Sequence, residues 1–345
     1  MDPDLLFLLV AAAVKIALFF VVMLTTVAYM TLVERRVSAF IQDRRGPNRV
    51  GPFGLLQPLA DGLKFLFKEA ITPPHAHMPI YLLAPVIIFV PAMVTFSVVP
   101  FGPTLQAFGH SIALQIAGVD NGILVILAFS SMGVYGVALA GWSSNNKYSL
   151  MGGLRSSAQL ISYELAMGIA IVGVLMTAGS LRLGDVVAHQ AAHGWNVLWQ
   201  FPGFLIFMTA AFAETNRLPF DLPEAETELV AGYHTEYSGM RFSMFYMAEY
   251  ANMITASALA ATLYLGGYDV PGLDRLGLGP LFAAAIQVAA FALKVAFFLF
   301  VYVWVRWTLP RFRYDQLMNL GWKVLLPAGL AHLLWVSFIV LMGWN

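Results

Sequence analysis

Eight stretches of this chain stay apolar for about twenty residues or more, at approximately 5–33, 79–101, 121–142, 154–178, 196–216, 241–266, 281–306 and 322–343. A helix rises about 1.5 Å per residue, so about 20 such residues cross the roughly 30 Å hydrocarbon core of a bilayer. Only 11% of the residues are charged and 59% belong to AVILMFWYC. An ordinary soluble domain carries about 25% charged residues, because its surface faces water. The pattern therefore reads as all-α: one polytopic membrane domain over residues 1–345, with eight transmembrane helices. Its first stretch is too long for a signal peptide and lacks a basic front, so it is expected to be retained.

Lys and Arg set the orientation, because they concentrate in connections on the cytoplasmic side. Of nineteen, fifteen fall in the odd-numbered connections, two in the even ones (Arg182 and Arg275), and Lys15 and Lys294 lie within spans. Both termini are then expected outside and all odd connections in the cytoplasm. The even connections are neutral and contain Gly and Pro, and read as simple turns. The first connection is different. After Gly51-Pro52, Leu55, Leu56, Leu59, Leu63 and Leu66 recur at helical spacing, while Gln57, Asp61, Lys64 and Lys68 form one polar stripe. That predicts an amphipathic helix at about 52–69, lying in the interface. The fifth connection, about 217–240, is an acidic loop.

Several chemistries are excluded. With no cysteine in the chain, it cannot hold thiolate-bound iron–sulfur clusters, c-type haem or disulfides. Lys plus Arg equals Asp plus Glu at 19 each, which leaves no basic excess for nucleic acid. Neither GxGxxG nor GxxxxGK[ST] occurs, so no nucleotide loop is expected. His75 and His77, and His189 and His193, lack further ligands nearby in sequence and read as structural, with no metal site.

The informative residues are acids within or beside apolar helices. A charged side chain at a helix centre costs about 2.5–3.5 kcal/mol on insertion scales, so such groups line enclosed polar paths. Glu164, Glu214 and Glu249 all fall on the cytoplasmic half of their spans. Asp221-Leu-Pro-Glu224 has the form of a helix start, and Glu224, Glu226, Glu228 and Glu236 follow it. Two unit charges about 8 Å apart interact by about 2 kcal/mol at an effective dielectric near 20. A row of carboxyls at that spacing titrates as a coupled set and can pass a charge change along the membrane. Lys15 is expected to snorkel, and Lys294 is open to pairing or function.

The strings Glu34-Arg-Arg-Val-Ser-Ala-Phe-Ile-Gln-Asp-Arg-Arg-Gly-Pro-Asn-Arg-Val-Gly-Pro52, Gly54-Leu-Leu-Gln-Pro-Leu-Ala-Asp-Gly-Leu-Lys64 and Ala213-Glu-Thr-Asn-Arg-Leu-Pro-Phe-Asp-Leu-Pro-Glu-Ala-Glu-Thr-Glu-Leu-Val230 resemble one family. It is the family of the H subunit of proton-pumping NADH:quinone oxidoreductase, respiratory complex I. The resemblance covers essentially the whole chain. It implies a membrane subunit beneath the iron–sulfur and quinone-site subunits of a hydrophilic arm, with other small membrane subunits leading on to antiporter-like ones. The substrate would be a quinone, taken as ubiquinone, with flavin and iron–sulfur clusters only in partner subunits and no catalytic residue on this chain. Glu34, Arg35, Arg36, Asp61, Lys64, Arg217 and Phe220 would border the quinone path. Glu164, Glu214, Glu224, Glu226, Glu228, Glu236 and Glu249 would carry the proton coupling, with Arg155 as a cationic partner. The expected location is a bacterial inner membrane. The alternatives are a stand-alone cation or proton transporter, which often has internal repeats, and the homologous membrane component of a hydrogenase.

Overall fold

Long runs of Leu, Val, Ala and Phe without an interior break wind into helices, and in the computed structural model, which describes residues 3–107, 110–222 and 226–343, they do so almost throughout. The helices are α1 (Pro3–Ile41), α2 (Gln57–Phe67), α3 (Met78–Phe96), α4 (Gly122–Ser143), α5 (Lys147–Ala178), α6 (Leu183–His193), α7 (Asn196–Trp199), α8 (Phe201–Glu214), α9 (Glu226–Leu229), α10 (Gly239–Tyr264), α11 (Pro280–Thr308), α12 (Tyr314–Asn319) and α13 (Leu326–Leu341). A stretch of wider π-type winding, Leu320–Leu325, joins the last two.

Among the described residues, six helical stretches are long and apolar enough to cross a membrane: Leu9–Ile41, Met78–Phe96, Gly122–Ser143, Lys147–Ala178, Pro280–Thr308 and Tyr314–Leu341. The stretch expected at 196–216 is divided. A break at Gln200, with Pro202 just inside the next helix, leaves α8 only 14 residues long. The stretch expected at 241–266 corresponds to α10, which is long but carries Arg241, Glu249 and Asn252 and is not among the six.

Three boundaries differ in ways that matter for the site. Helix α1 does not stop near residue 33 but continues to Ile41, so Glu34, Arg35 and Arg36 lie on a helix and not in a loop. Helix α5 begins at Lys147 instead of 154, because the Asn146 side chain accepts the Tyr148 amide at 2.8 Å and caps it. The even connections are more than simple turns. The second contains an antiparallel hairpin of β1 (Thr104–Ala107) and β2 (His110–Ala113), with Leu105 opposite Ile112. The fourth contains α6. The amphipathic segment is a short turn at Pro52–Gly54 followed by α2. Gly54 has φ +75°, and a Cβ there would collide with the Pro47 carbonyl, so glycine is required for this chain reversal.

Helix α5 occupies the centre, packed on α4, α8 and α13, while α3 bridges α4 and α10. Tyr81, Tyr163, Phe207, Phe245, Tyr264 and Phe298 are fully buried between them. Apolar side chains cover the outside as well, including Leu18 and Val21 on α1, Leu293 on α11 and Leu334 on α13. Lipid gives no hydrophobic drive between helices, so close packing of small residues substitutes for it. A Cβ on Gly141 would lie 3.1 Å from Gly153 Cα where α4 crosses α5.

Hydrogen bonds sort the connections into two groups. The first joins the fifth through the Ile71 amide and Ser238 Oγ at 2.9 Å, and the third joins the fifth through Asn146 and Glu236. At the opposite end, Lys15 of α1 donates to the Gln115 carbonyl at 3.2 Å. Lys294 of α11 donates to the carbonyls of Leu265, Gly267 and Asp269 at 2.7, 2.8 and 2.9 Å. The role of Lys294 in this structure is thus to cap the carbonyls freed where α10 ends.

Gly152 tests this packing. Its Cβ would lie 2.7 Å from Gly232 Cα in the fifth connection, whereas one on Gly168 meets nothing within 4 Å. Gly152→Ala should destabilise by about 1–3 kcal/mol through overpacking. Gly168→Ala should be neutral or gain up to about 1 kcal/mol of helix propensity. Thermal denaturation of the two purified variants in one detergent compares them directly.

Candidate functional site

Helix α8 ends at Glu214, and the chain then reverses through Asn216, which has φ +50°. Gln159 of α5 holds both arms of this reversal, donating from Nε2 to the Ala213 and Phe220 carbonyls at 2.8 Å each. The reversal turns Arg217 inward, where only 4% of it is exposed.

Two acids meet it there. Glu34, brought in by the extended end of α1, lies 3.2 Å from Arg217 Nη1 through Oε2. Glu249 of α10 places Oε1 3.1 Å from Arg217 Nε, at ion-pair distance but off the line a hydrogen bond needs. Tyr250 donates to Glu34 at 2.7 Å, and its ring lies 4.3 Å from the guanidinium carbon. Arg306, near the end of α11, also pairs with Glu34. Two carboxylates thus face two guanidiniums. Removing one member of such a buried set costs more than the set contributes, because the others stay desolvated and unpaired.

The membrane acids converge next to this cluster. Glu164 of α5, Glu214 of α8 and Glu249 of α10 line one cavity of about 40 Å³, together with Ser130, Tyr233 and Asn252. A smaller space of about 10 Å³ lies around Arg217, Asp221, Tyr246 and Arg306. Glu249 and Asn216 line both. The residues read as the quinone border and those read as the coupling acids therefore touch at Arg217 and Glu249. The larger space is polar and roomy enough to hold a water between two or more partners.

The remaining expected residues sit around this centre. Arg35 pairs with Asp61 at 2.8 Å, and Lys64 lies 3.9 Å from the same carboxylate. Arg36 donates to the Phe53 carbonyl, which fixes the turn before α2. Arg155 pairs with Glu228 at 2.7 Å. Glu236 accepts from Asn146 at 2.6 Å. Phe220 is buried, with Tyr163 and Phe312 rings at 5.3 and 5.4 Å. Asp221 pairs with Arg311 at 3.0 Å, and the helix start expected after it falls on residues 223–225, outside the described residues. Glu224 and the side chain of Glu226 lie outside the described residues.

Four contributors gave no usable signal in the sequence. Arg306 counts there only as a topological charge, and Ser130 and Gln159 are single polar residues in apolar stretches. His234 is buried with its ring edge-on to Tyr233, Phe242 and Tyr246. Burial pushes its imidazole down to about 4, so it is neutral near pH 7. Asp221 is shifted the other way. Burial raises it to about 6, although Arg311, Arg306 and Arg217 oppose the shift.

Fold and site together define a multi-pass helical membrane protein with a buried ion-pair cluster opening onto an acidic cavity. Residues 14–337 match the family model described as NADH dehydrogenase. The chain is 52% identical to an NADH-quinone oxidoreductase H subunit of Koribacter versatilis, over 97% of this chain and 98% of that one. It is 53% identical to the NADH-quinone oxidoreductase H subunit of Leptospira biflexa, over 98% of both. A third relative, the H subunit of the Deinococcus deserti enzyme, is 51% identical over 99% of this chain and 88% of its own. The chain belongs to the NADH dehydrogenase family, among the H subunits of NADH-quinone oxidoreductase.

Two measurements test the site. Arg217→Ala leaves Glu34 and Glu249 without their shared counter-charge, and should cost about 3–5 kcal/mol. Arg217→Lys should recover only part of that loss, since one ammonium cannot span both acids. Yield and melting temperature of the purified complex report both.

The second concerns pH. A raised acid pKa means the packed fifth connection binds a proton more readily than the open one, so Asp221 favours packing as pH falls through about 6. His234, lowered to about 4, resists protonation when packed and disfavours packing as pH falls below about 6.5. In Asp221→Asn, amide exchange over 212–222 and 232–238, corrected for intrinsic rates, should quicken between pH 7 and pH 5. In His234→Phe it should slow.

Proposed function

We propose that this chain is the membrane subunit of an NADH:quinone oxidoreductase that walls the quinone's access path and relays the charge change of quinone reduction into the membrane. Membership of the family supports the assignment to the enzyme complex. The observation that carries the relay is that Glu249 belongs both to the Arg217 ion-pair cluster and to the cavity lined by Glu164 and Glu214.

The mechanism follows from the arrangement. A quinone headgroup is polar and its tail apolar, so its path needs apolar walls at the mouth and polar groups deep inside. Helix α2 presents Leu59, Leu63 and Leu66 outward, while Asp61 and Arg35 join on its other side. Reduction of a quinone draws in two protons and places transient negative charge near Arg217 and Arg306. A guanidinium drawn toward that charge loosens its hold on Glu249. The carboxyl then takes up a proton more readily, and the loss of its negative charge from the shared cavity lets Glu214 and Glu164, no longer repelled by it, give up a proton more easily, so that a proton can pass along the set. Flavin and iron–sulfur clusters belong to the iron–sulfur and quinone-site partners on the cytoplasmic side, and the quinone is taken as ubiquinone.

The topology belongs to the same proposal. The six long apolar helices, with α7–α8 and α10, make eight crossings. The connections that meet around Arg217 face the cytoplasm, both termini face outward, and the membrane is a bacterial inner membrane. Small membrane subunits lie beside this chain and continue the path to the antiporter-like ones.

Glu249→Gln and Glu214→Gln test the relay in the assembled complex in proteoliposomes. NADH-driven proton uptake should fall roughly tenfold or more, as expected when a positioned proton-transfer group is lost. Quinone reduction should slow with it. Unchanged turnover and an unchanged proton-to-electron ratio in both variants would remove these residues from the mechanism.

A further inference from the structure

Beyond the acidic cavity, on the side away from Arg217, lies a further space of about 30 Å³. Ser130, Glu214, Thr215 and Asn252 line both, so Glu214 stands between the two. The direction is the same along each contributing helix. On α10 the wall moves from Glu249 to Thr255 and Leu259, towards the end that Lys294 caps, and on α5 from Glu164 to Met167. On α8 it moves back from Glu214 to Phe207, and on α4 from Ser130 to Ile126. Glu249, Asn252 and Thr255 recur every three residues, which puts them on one face of α10. The helix rises about 9 Å from the first to the last of them.

We infer that Thr255 is a positioning residue of the relay, holding a water molecule against Glu214 on the side away from Arg217. The inference rests on the part proposed above for Glu214 and adds a second proton partner to it. Four threonines are buried among the described residues, and three are satisfied by their own helices. Thr95, Thr215 and Thr262 donate to the carbonyls of Ala92, Ala211 and Ala258 at 3.0, 3.0 and 2.8 Å. Thr255 is only 5% exposed, yet its hydroxyl has no protein partner. A buried hydroxyl left dry costs more than an ordinary hydrogen bond contributes.

The space suits a water, which needs about 10–15 Å³ and roughly two to four polar partners. Thr255, Asn252 and Glu214 all line it, while Met167, Phe207 and Leu259 close it with apolar surface. The hydroxyl protons of Thr95, Ser130 and Thr215 are already taken by carbonyls of their own helices, so Thr255 and Asn252 orient the water. A threonine hydroxyl both donates and accepts. The water it holds can therefore donate to Glu214 when that acid is ionised and accept from it when it is protonated. Glu214 then exchanges its proton on two sides, with the acidic cavity and with this water. Without the water it faces apolar wall on the far side and exchanges only back towards Glu249.

The test compares Thr255→Val, which keeps the shape and removes the hydroxyl, with Thr255→Ser, which keeps the hydroxyl, both in the assembled complex. Electron cryo-microscopy at a resolution that shows ordered water should place one within hydrogen-bond distance of Thr255 Oγ1 and the Glu214 carboxyl in the wild type. It should persist in Thr255→Ser and vanish in Thr255→Val. In proteoliposomes, NADH-driven proton uptake by Thr255→Val should fall about fivefold, the size of one lost hydrogen bond. Its solvent deuterium isotope effect should grow, and Thr255→Ser should restore both. A residue that only packs would lower yield and melting temperature and leave the isotope effect unchanged. A dry space in the wild type overturns the site. Glu214→Gln, measured alongside, separates the two readings: loss there with none in Thr255→Val overturns the role of Thr255 alone, and no loss in either overturns the relay and this inference with it.

Discussion

A guanidinium cannot be left uncompensated in a space closed to water, and the placement of Arg217 between Glu34 and Glu249 governs much of the rest of this structure. To supply Glu34, α1 must continue as a helix beyond its apolar span. To turn Arg217 inward, α8 must end at Glu214 and the chain must reverse at once, which Gln159 enforces from α5. To supply Arg306, α11 must run past the bundle to the same level. Three helices, α1, α10 and α11, and one connection are thus registered against each other by charge rather than by apolar packing, which in lipid provides little preference for one register over another.

The same constraint makes the cluster responsive. Glu249 has a guanidinium at ion-pair distance and a cavity that it shares with two other carboxyls. At an effective dielectric near 20, charges about 8 Å apart exchange about 2 kcal/mol, or more than a tenfold change in a protonation equilibrium. On the proposed relay, a new negative charge beside Arg217 changes the set without any large movement of helices. An apolar core around the same residues would leave no water to carry a proton between them. The hydroxyls and amides of Ser130, Tyr233, Asn216 and Asn252 in the wall are what allow water to complete the link.

How much of this the sequence carried depended on the length scale of the signal. Apolar runs of span length located nearly every long helix, because lipid permits little else. The acids at Glu164, Glu214 and Glu249 stood out because their cost in lipid is large. Boundaries failed where a polar side chain, not hydropathy, decides them: Asn146 starts α5 early, and the extension of α1 to Ile41 carries charged residues that hydropathy assigns to a loop. The division at Gln200 was hidden because both pieces are apolar. His234 and Gln159 gave no warning, since a single polar residue in an otherwise ordinary segment has no periodicity to reveal it.

Intramembrane charge alone would not have identified the site, and the contrast between Lys294 and Glu249 shows why. Both lie within apolar helices, and both would be flagged by cost. Lys294 spends its three donors on the carbonyls of Leu265, Gly267 and Asp269, and sits over the Trp195 ring at 5.1 Å. An ammonium has only three protons to donate, so it is saturated by backbone that cannot change protonation, and it serves the fold. Glu249 is held by one guanidinium and otherwise faces a polar space lined by two further acids. On the proposed relay, its partner can be drawn away by another charge and a proton can pass between it and the other acids. A buried charge is functional when its satisfaction is incomplete and shared, and structural when it is complete and local.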